Sequence, residues 1–119
     1  MKIKYMTSGL IIITLLSAFG TIDRPVSKPG MNVVTTLSIF EEMTKKIAHT
    51  TPTTVESIIP SGAEPHDYEP TPQDIITLKD ADLFIYNGLT SIEPWLTKTL
   101  PFLPNTTQLD LSKIVTLQN

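Results

Sequence analysis

Cysteine is absent from the 119-residue sequence. That excludes a disulfide scaffold, a Cys-ligated zinc site, covalent haem attachment and thiol catalysis. Any metal site must draw on His, Asp, Glu, Asn or water. There is also no cluster of Lys or Arg, and the formal net charge is −3. The chain therefore lacks the electrostatic footprint of a nucleic-acid binder, whereas an acidic surface suits a cation. Missing too are a G-x-S-x-G nucleophile turn, a P-loop and a G-x-G-x-x-G cradle. Serine hydrolases of that type and nucleotide binding have no sequence support. No pair of carboxylates is set out as an acid/base couple, so an enzyme is not expected. Internal repeats and low-complexity tracts are likewise absent.

The longest apolar run, Leu10-Ile11-Ile12-Ile13-Thr14-Leu15-Leu16, is short. A bilayer span needs about 20 apolar residues. Lys2 and Lys4 precede the run, and Ser17-Ala18-Phe19-Gly20 follows it. A basic start, an apolar middle and a small-residue exit describe a Sec-type signal peptide over residues 1–20, cleaved after Gly20. Removing Lys2 and Lys4 leaves a still more acidic remainder. Leu16-Ser17-Ala18 begins like a lipoprotein cleavage box, but Phe19 stands where the lipidated Cys belongs. The expected product is exported and periplasmic or extracellular, without a thioether lipid anchor. Residues 21–30, polar and holding two prolines, read as a flexible tail.

From Met31 onward strand and helix patterns alternate. Met31 to Leu37 is β-branched and short, as a buried strand is. Ser38-Ile39-Phe40-Glu41 predicts a capping box opening a helix. Ile39, Phe40, Met43 and Ile47 form its apolar face. Glu41–Lys45 and Glu42–Lys46 are spaced for i,i+4 pairing, and His49 complements the dipole at the far end. Thr54 to Ile59 predicts a second strand. Pro60 to Pro70 holds too many prolines for regular structure. Thr71-Pro72-Gln73-Asp74 is a helix start, with Thr71 as N-cap. Ile75, Leu78 and Ala81 are spaced to face a sheet. Leu83 to Tyr86 is a third strand, ended by Asn87-Gly88. Glu93-Pro94-Trp95 opens a short helix whose apolar side is Trp95, Leu96 and Leu100, stopped by Pro101 and Pro104. Thr107 to Leu111 is a fourth strand. The order β-α-β-α-β-α-β predicts an α/β fold: a parallel four-stranded sheet flanked by helices. Ligands then belong outside the carboxyl ends of the strands.

The loop after Ile59 carries the chemistry. It sets His66 among Glu64, Asp67 and Glu69, with Asp74 just inside the next helix. Prolines stiffen it, which lowers the entropy lost on fixing a ligand. A neutral imidazole suits Zn, Mn or Fe. By local physics alone His66 is either a ligand of this kind or an ordinary surface residue. Trp95 reads as a packing residue.

The stretch from Ser61 to Asp74 resembles the G-x-x-P-H-x-Y-x-P-x-P-x-D signature of metal-specific solute-binding proteins of bacterial ABC importers. Met31 to Ser38 resembles that family's opening strand and turn. Ala81 to Leu89 is similar to its A-D-L-x-x-x-N-G-L strand, and Glu93-Pro94-Trp95-Leu96 to the helix that follows. The resemblance runs over about residues 31 to 113. It implies a two-lobed receptor for a divalent metal ion (Mn²⁺, Zn²⁺ or Fe²⁺) held between the lobes as transported ligand, with no catalytic cofactor. It also implies an ABC permease in the inner membrane as partner, and His66 as the first metal ligand. The acidic P-H-D-Y-E-P version leans towards manganese or iron. The family's second His, in a D-P-H motif, and its two second-lobe ligands have no counterpart in this chain. Residues 31–119 are thus expected to be a truncated N-terminal lobe, completed by other sequence or by a separate polypeptide, and without a tight metal site on its own. The alternative is a secreted α/β interaction or adhesin-like module in which His66 is a relic.

Overall fold

The computed structural model describes residues 30–115. The expected signal peptide and all of the tail before Gly30 lie outside the described residues. Four short strands, β1 (Asn32–Thr35), β2 (Thr54–Ser57), β3 (Leu83–Tyr86) and β4 (Thr107–Asp110), form one sheet in the order β2-β1-β3-β4. Every pairing is parallel. The connections carry α1 (Ser38–Ile47), α2 (Pro72–Asp80) and α3 (Leu96–Thr99), the last running into a 3₁₀ turn at Leu100–Phe102. The predicted fold class and element order are what is observed. None of the described helices is long and apolar enough to cross a membrane.

Register decides the core. Val34 lies opposite Phe84, and Tyr86 follows Phe84 on the same face because side chains alternate along a strand. These three join Ile58, Ile59, Leu78, Ala81, Trp95, Leu96 and Leu103 in one buried cluster. Leu78 and Ala81 meet the sheet as their spacing predicts. Ile58 and Ile59 are buried beyond the end of β2, and their amides still bond Thr35 O and Thr36 O at 3.0 and 3.1 Å.

Two expectations for α1 fail. Helical geometry already includes Ser38, so Leu37 holds the N-cap position and no side chain caps the helix. Ser38 thus lies one residue too far along for its capping box, and Thr35 Oγ1 bonds Leu37 O at 3.1 Å instead. The row Ile39, Met43, Ile47 also points outward, at 53%, 54% and 81% exposure. The neighbouring row, Phe40, Thr44 and Ala48, is the partly buried one. One residue is about 100° around a helix, so a rotation of α1 by one residue's step exchanges the two rows. Glu41 and Lys45 pair as expected; among the described residues Glu42 and Lys46 do not. An exposed apolar row of this kind favours self-association. Replacing Met43 with Gln and Ile47 with Lys is expected to reduce concentration-dependent light scattering. The urea midpoint should move by no more than about 0.5 kcal/mol equivalent.

α2 begins as its sequence predicts. Asp74 N donates to Thr71 Oγ1 at 3.2 Å, Thr71 N donates to Asp74 Oδ2 at 2.7 Å, and Pro72 occupies the first turn.

Candidate metal centre

The chain leaves β1 for β2 on one side and returns to β3 on the other. The exits of β1 and β3 therefore flank a switch point, where parallel sheets bind ligands. The loop after β2 rises at this end of the sheet. A turn closes from Ala63 N to Pro60 O at 3.0 Å, with Gly62 at φ +86°, a left-handed conformation that glycine adopts without strain.

His66 is exposed on this loop, and its Nδ1 lies 3.1 Å from Asp67 Oδ1. An Nδ1–H donated to that carboxylate leaves the Nε2 lone pair free to coordinate. Metal-binding imidazoles are usually oriented by such a carboxylate. Glu64, Asp67 and Glu69 are exposed. Asp74, grouped with them by sequence, is committed elsewhere: its Oδ2 accepts from Tyr68 Oη at 2.8 Å and from Thr71 N and Oγ1 at 2.7 Å each. Burial alone would push the Asp74 carboxyl up, but the bonds from Thr71 and Tyr68 outweigh it and hold it below the usual carboxylate range. The same burial, with Asp74 as bonded neighbour and charge, pushes the Tyr68 phenol far up. Among the described residues no three His, Asp or Glu side chains converge as a metal cage.

Beneath the loop Tyr68 meets Trp95 edge-on, ring centroids 5.4 Å apart, so Trp95 is a packing residue as expected. An open groove of about 930 Å³ runs from His66 past Tyr68, Ile75 and Trp95 to Lys98 and Phe102. His49 lies toward the opposite, amino end of the strands, where α1 leads back to β2. Its Nδ1 is 2.9 Å from Lys46 O, a helix-end contact.

Glu93, in sequence only the opening of a helix, stands at the switch point. Its side chain is fully buried. Oε2 accepts the amides of Asn87 at 2.9 Å and Gly88 at 3.3 Å. The Thr36 hydroxyl lies alongside and favours the charged form, yet neither it nor Oε1 completes a hydrogen bond of good geometry. Burial dominates and pushes the Glu93 carboxyl up, against Thr36 and the two amides, with the Asp110 charge adding to the rise. Only the Asn-Gly turn six residues earlier hinted at this partner. Gly88 sits at φ +87°, and a Cβ there would fall 1.9 Å from Asp110 Oδ1, so the exits of β3 and β4 touch through a glycine.

Residues 33–118 match the family described as "Zinc-uptake complex component A periplasmic". The chain is 35% identical over 115 residues to the manganese-binding lipoprotein MntA of Halalkalibacterium halodurans, covering 95% of this chain and 37% of that one. It is 47% identical over 97 residues to the high-affinity zinc uptake system protein ZnuA of Bacillus subtilis, covering 75% and 30%. In structure it is similar to the laminin binding protein Lmb of Streptococcus agalactiae, described as bifunctional with adhesin and metal transporting activity. There the TM-score is 0.63 at 33% identity, over 76% of this chain and 34% of that one. The chain spans about a third of the length of these relatives. With the parallel sheet and the family match in agreement, the chain belongs to the zinc-uptake component A family of periplasmic proteins.

Proposed function

We propose that this chain is the metal-facing N-terminal lobe of the substrate-binding component of an ABC importer for Mn²⁺, Zn²⁺ or Fe²⁺. The observation that carries the reading is His66: an exposed imidazole on a braced loop at the ligand-binding end of the sheet, its Nδ1 turned to Asp67 and its Nε2 free. The relatives' descriptions as manganese-binding and zinc-uptake proteins support it. A closed site takes about four protein ligands, and His66 is one. The others come from the remaining two thirds of a receptor, in the same polypeptide or a separate one. The ion is the cargo. It is coordinated between the lobes and released to a permease in the inner membrane, with no covalent chemistry. Export through the signal peptide at residues 1–20 places the lobe outside the cytoplasm.

Zinc and manganese titrations test this. Alone, the chain should show no submicromolar, His66-dependent binding. Joined to the rest of the B. subtilis relative it should bind tightly, and His66→Ala should weaken that binding by at least about 100-fold, beyond the loss typical of an outer-sphere change. Equal affinity of the joined wild type and His66→Ala would overturn the reading. A second reading, a surface-binding module, draws on the adhesin activity described for Lmb. It expects laminin binding by this chain that His66→Ala leaves unchanged.

A further inference from the structure

His66 is not held by its own contacts. Its side chain is 60% exposed, and the one ring partner, Asp67, is 82% exposed. The nearest hydrogen-bonded anchor is the half-buried Tyr68, two residues on. The Tyr68 hydroxyl lies 2.8 Å from Asp74 Oδ2 and 3.1 Å from Ile58 O, and its ring leans on Trp95. A hydroxyl has one proton, and the closer, charged acceptor takes the stronger share. The same Asp74 Oδ2 takes the Thr71 amide and hydroxyl. One carboxylate oxygen therefore ties the His66 loop to the first turn of α2.

We propose that Asp74 is a positioning residue for His66, acting through Tyr68 to fix where the imidazole stands without itself coordinating the ion. The proposal rests on His66 being a ligand, but half of its test does not. If Asp74 were only a helix cap, its bonds with Thr71 would be all that mattered. Tyr68→Phe removes the brace and keeps the cap, whereas Thr71→Val strips the capping hydroxyl and keeps the brace.

Two quantities are read by NMR on the full chain: the order parameter of the His66 ring carbons, and the Zn²⁺ concentration at half-maximal shift of the His66 ring signals. Tyr68→Phe and Asp74→Ala are expected to lower the ring order and to raise the half-point about 10-fold, the low end of the loss seen when an orienting partner is removed. Thr71→Val should lower the thermal midpoint and leave both quantities at wild type. Wild-type ring order in Tyr68→Phe overturns the inference, as does an unchanged zinc half-point. If Tyr68→Phe loosens the ring but wild-type His66 shows no zinc response, the ligand reading fails and the brace stands.

Discussion

Phe84→Ala is expected to cost about 3–5 kcal/mol, as Phe truncations in packed cores do. Phe84 is fully buried at the middle of β3, one of the two central strands. It lies opposite Val34 on β1 and 5.1 Å, centroid to centroid, from Tyr86. Removing the ring deletes apolar burial and leaves a cavity that a four-stranded sheet closes only by bending. A domain of this size has a total stability of about 5–15 kcal/mol, so the loss is a large part of what holds it together. Urea denaturation followed by far-ultraviolet circular dichroism measures it. The matched control is Phe102→Ala. That side chain is 60% exposed, and its loss should stay near 0.5 kcal/mol. A Phe84→Ala cost below about 1 kcal/mol would mean that the core is not organised around this ring.

The second large effect belongs to Glu93. Glu93→Ala orphans the amides of Asn87 and Gly88, and each unsatisfied buried donor costs about 1–3 kcal/mol. Glu93→Gln has the opposite sign at neutral pH. Glutamine keeps an oxygen for the two amides, brings an amide group that can donate to Thr36 Oγ1, and removes a buried charge. The pH dependence separates these effects. Burial raises the folded pKa of Glu93 above its ordinary 4.5. Its contribution is therefore fully present below that value and is lost as pH rises through the folded pKa. Asp74 and Asp110 run the other way. Burial pushes Asp110 up, but the Ser112 hydroxyl and Lys113 outweigh it, and both carboxyls end below their ordinary 3.8. Their stabilisation is present above that value and lost as pH falls through the lowered ones. Wild type should thus be most stable in mildly acidic solution. In a thermal series from pH 3 to 9, Glu93→Gln should match wild type near pH 4 and exceed it at pH 7. Parallel curves across the whole range would show that Glu93 stays ionised without penalty.

Much of this fold was legible where local chemistry leaves one choice. Leu83–Tyr86 matched its expected bounds because an unbroken apolar run sits between Asp82 and an Asn-Gly turn. The start of α2 was legible because Thr-Pro-x-Asp satisfies its own amides. α1 was legible as a helix but not in its rotation. Two rows one residue apart compete for the sheet, and the exit of β1, not the pattern, decides between them. His66 stood out by its motif, yet its mooring did not. Asp74 reads as a helix-start acid in sequence, and its bond to Tyr68 appears only when the loop folds back. Glu93 was the least legible residue, since an ionisable side chain is almost never expected at zero exposure and its two amide donors come from an earlier turn.

Trp95 is the sole tryptophan of the chain, and it packs against the tyrosine that anchors the His66 loop. Its fluorescence therefore originates at one indole beside the candidate site, not from an average over the molecule. Displacement of that loop, or arrival of a quenching ion such as Mn²⁺, registers as a change in emission intensity or wavelength. The chain carries a built-in optical probe, by which the proposed ion binding can be followed without attaching a dye.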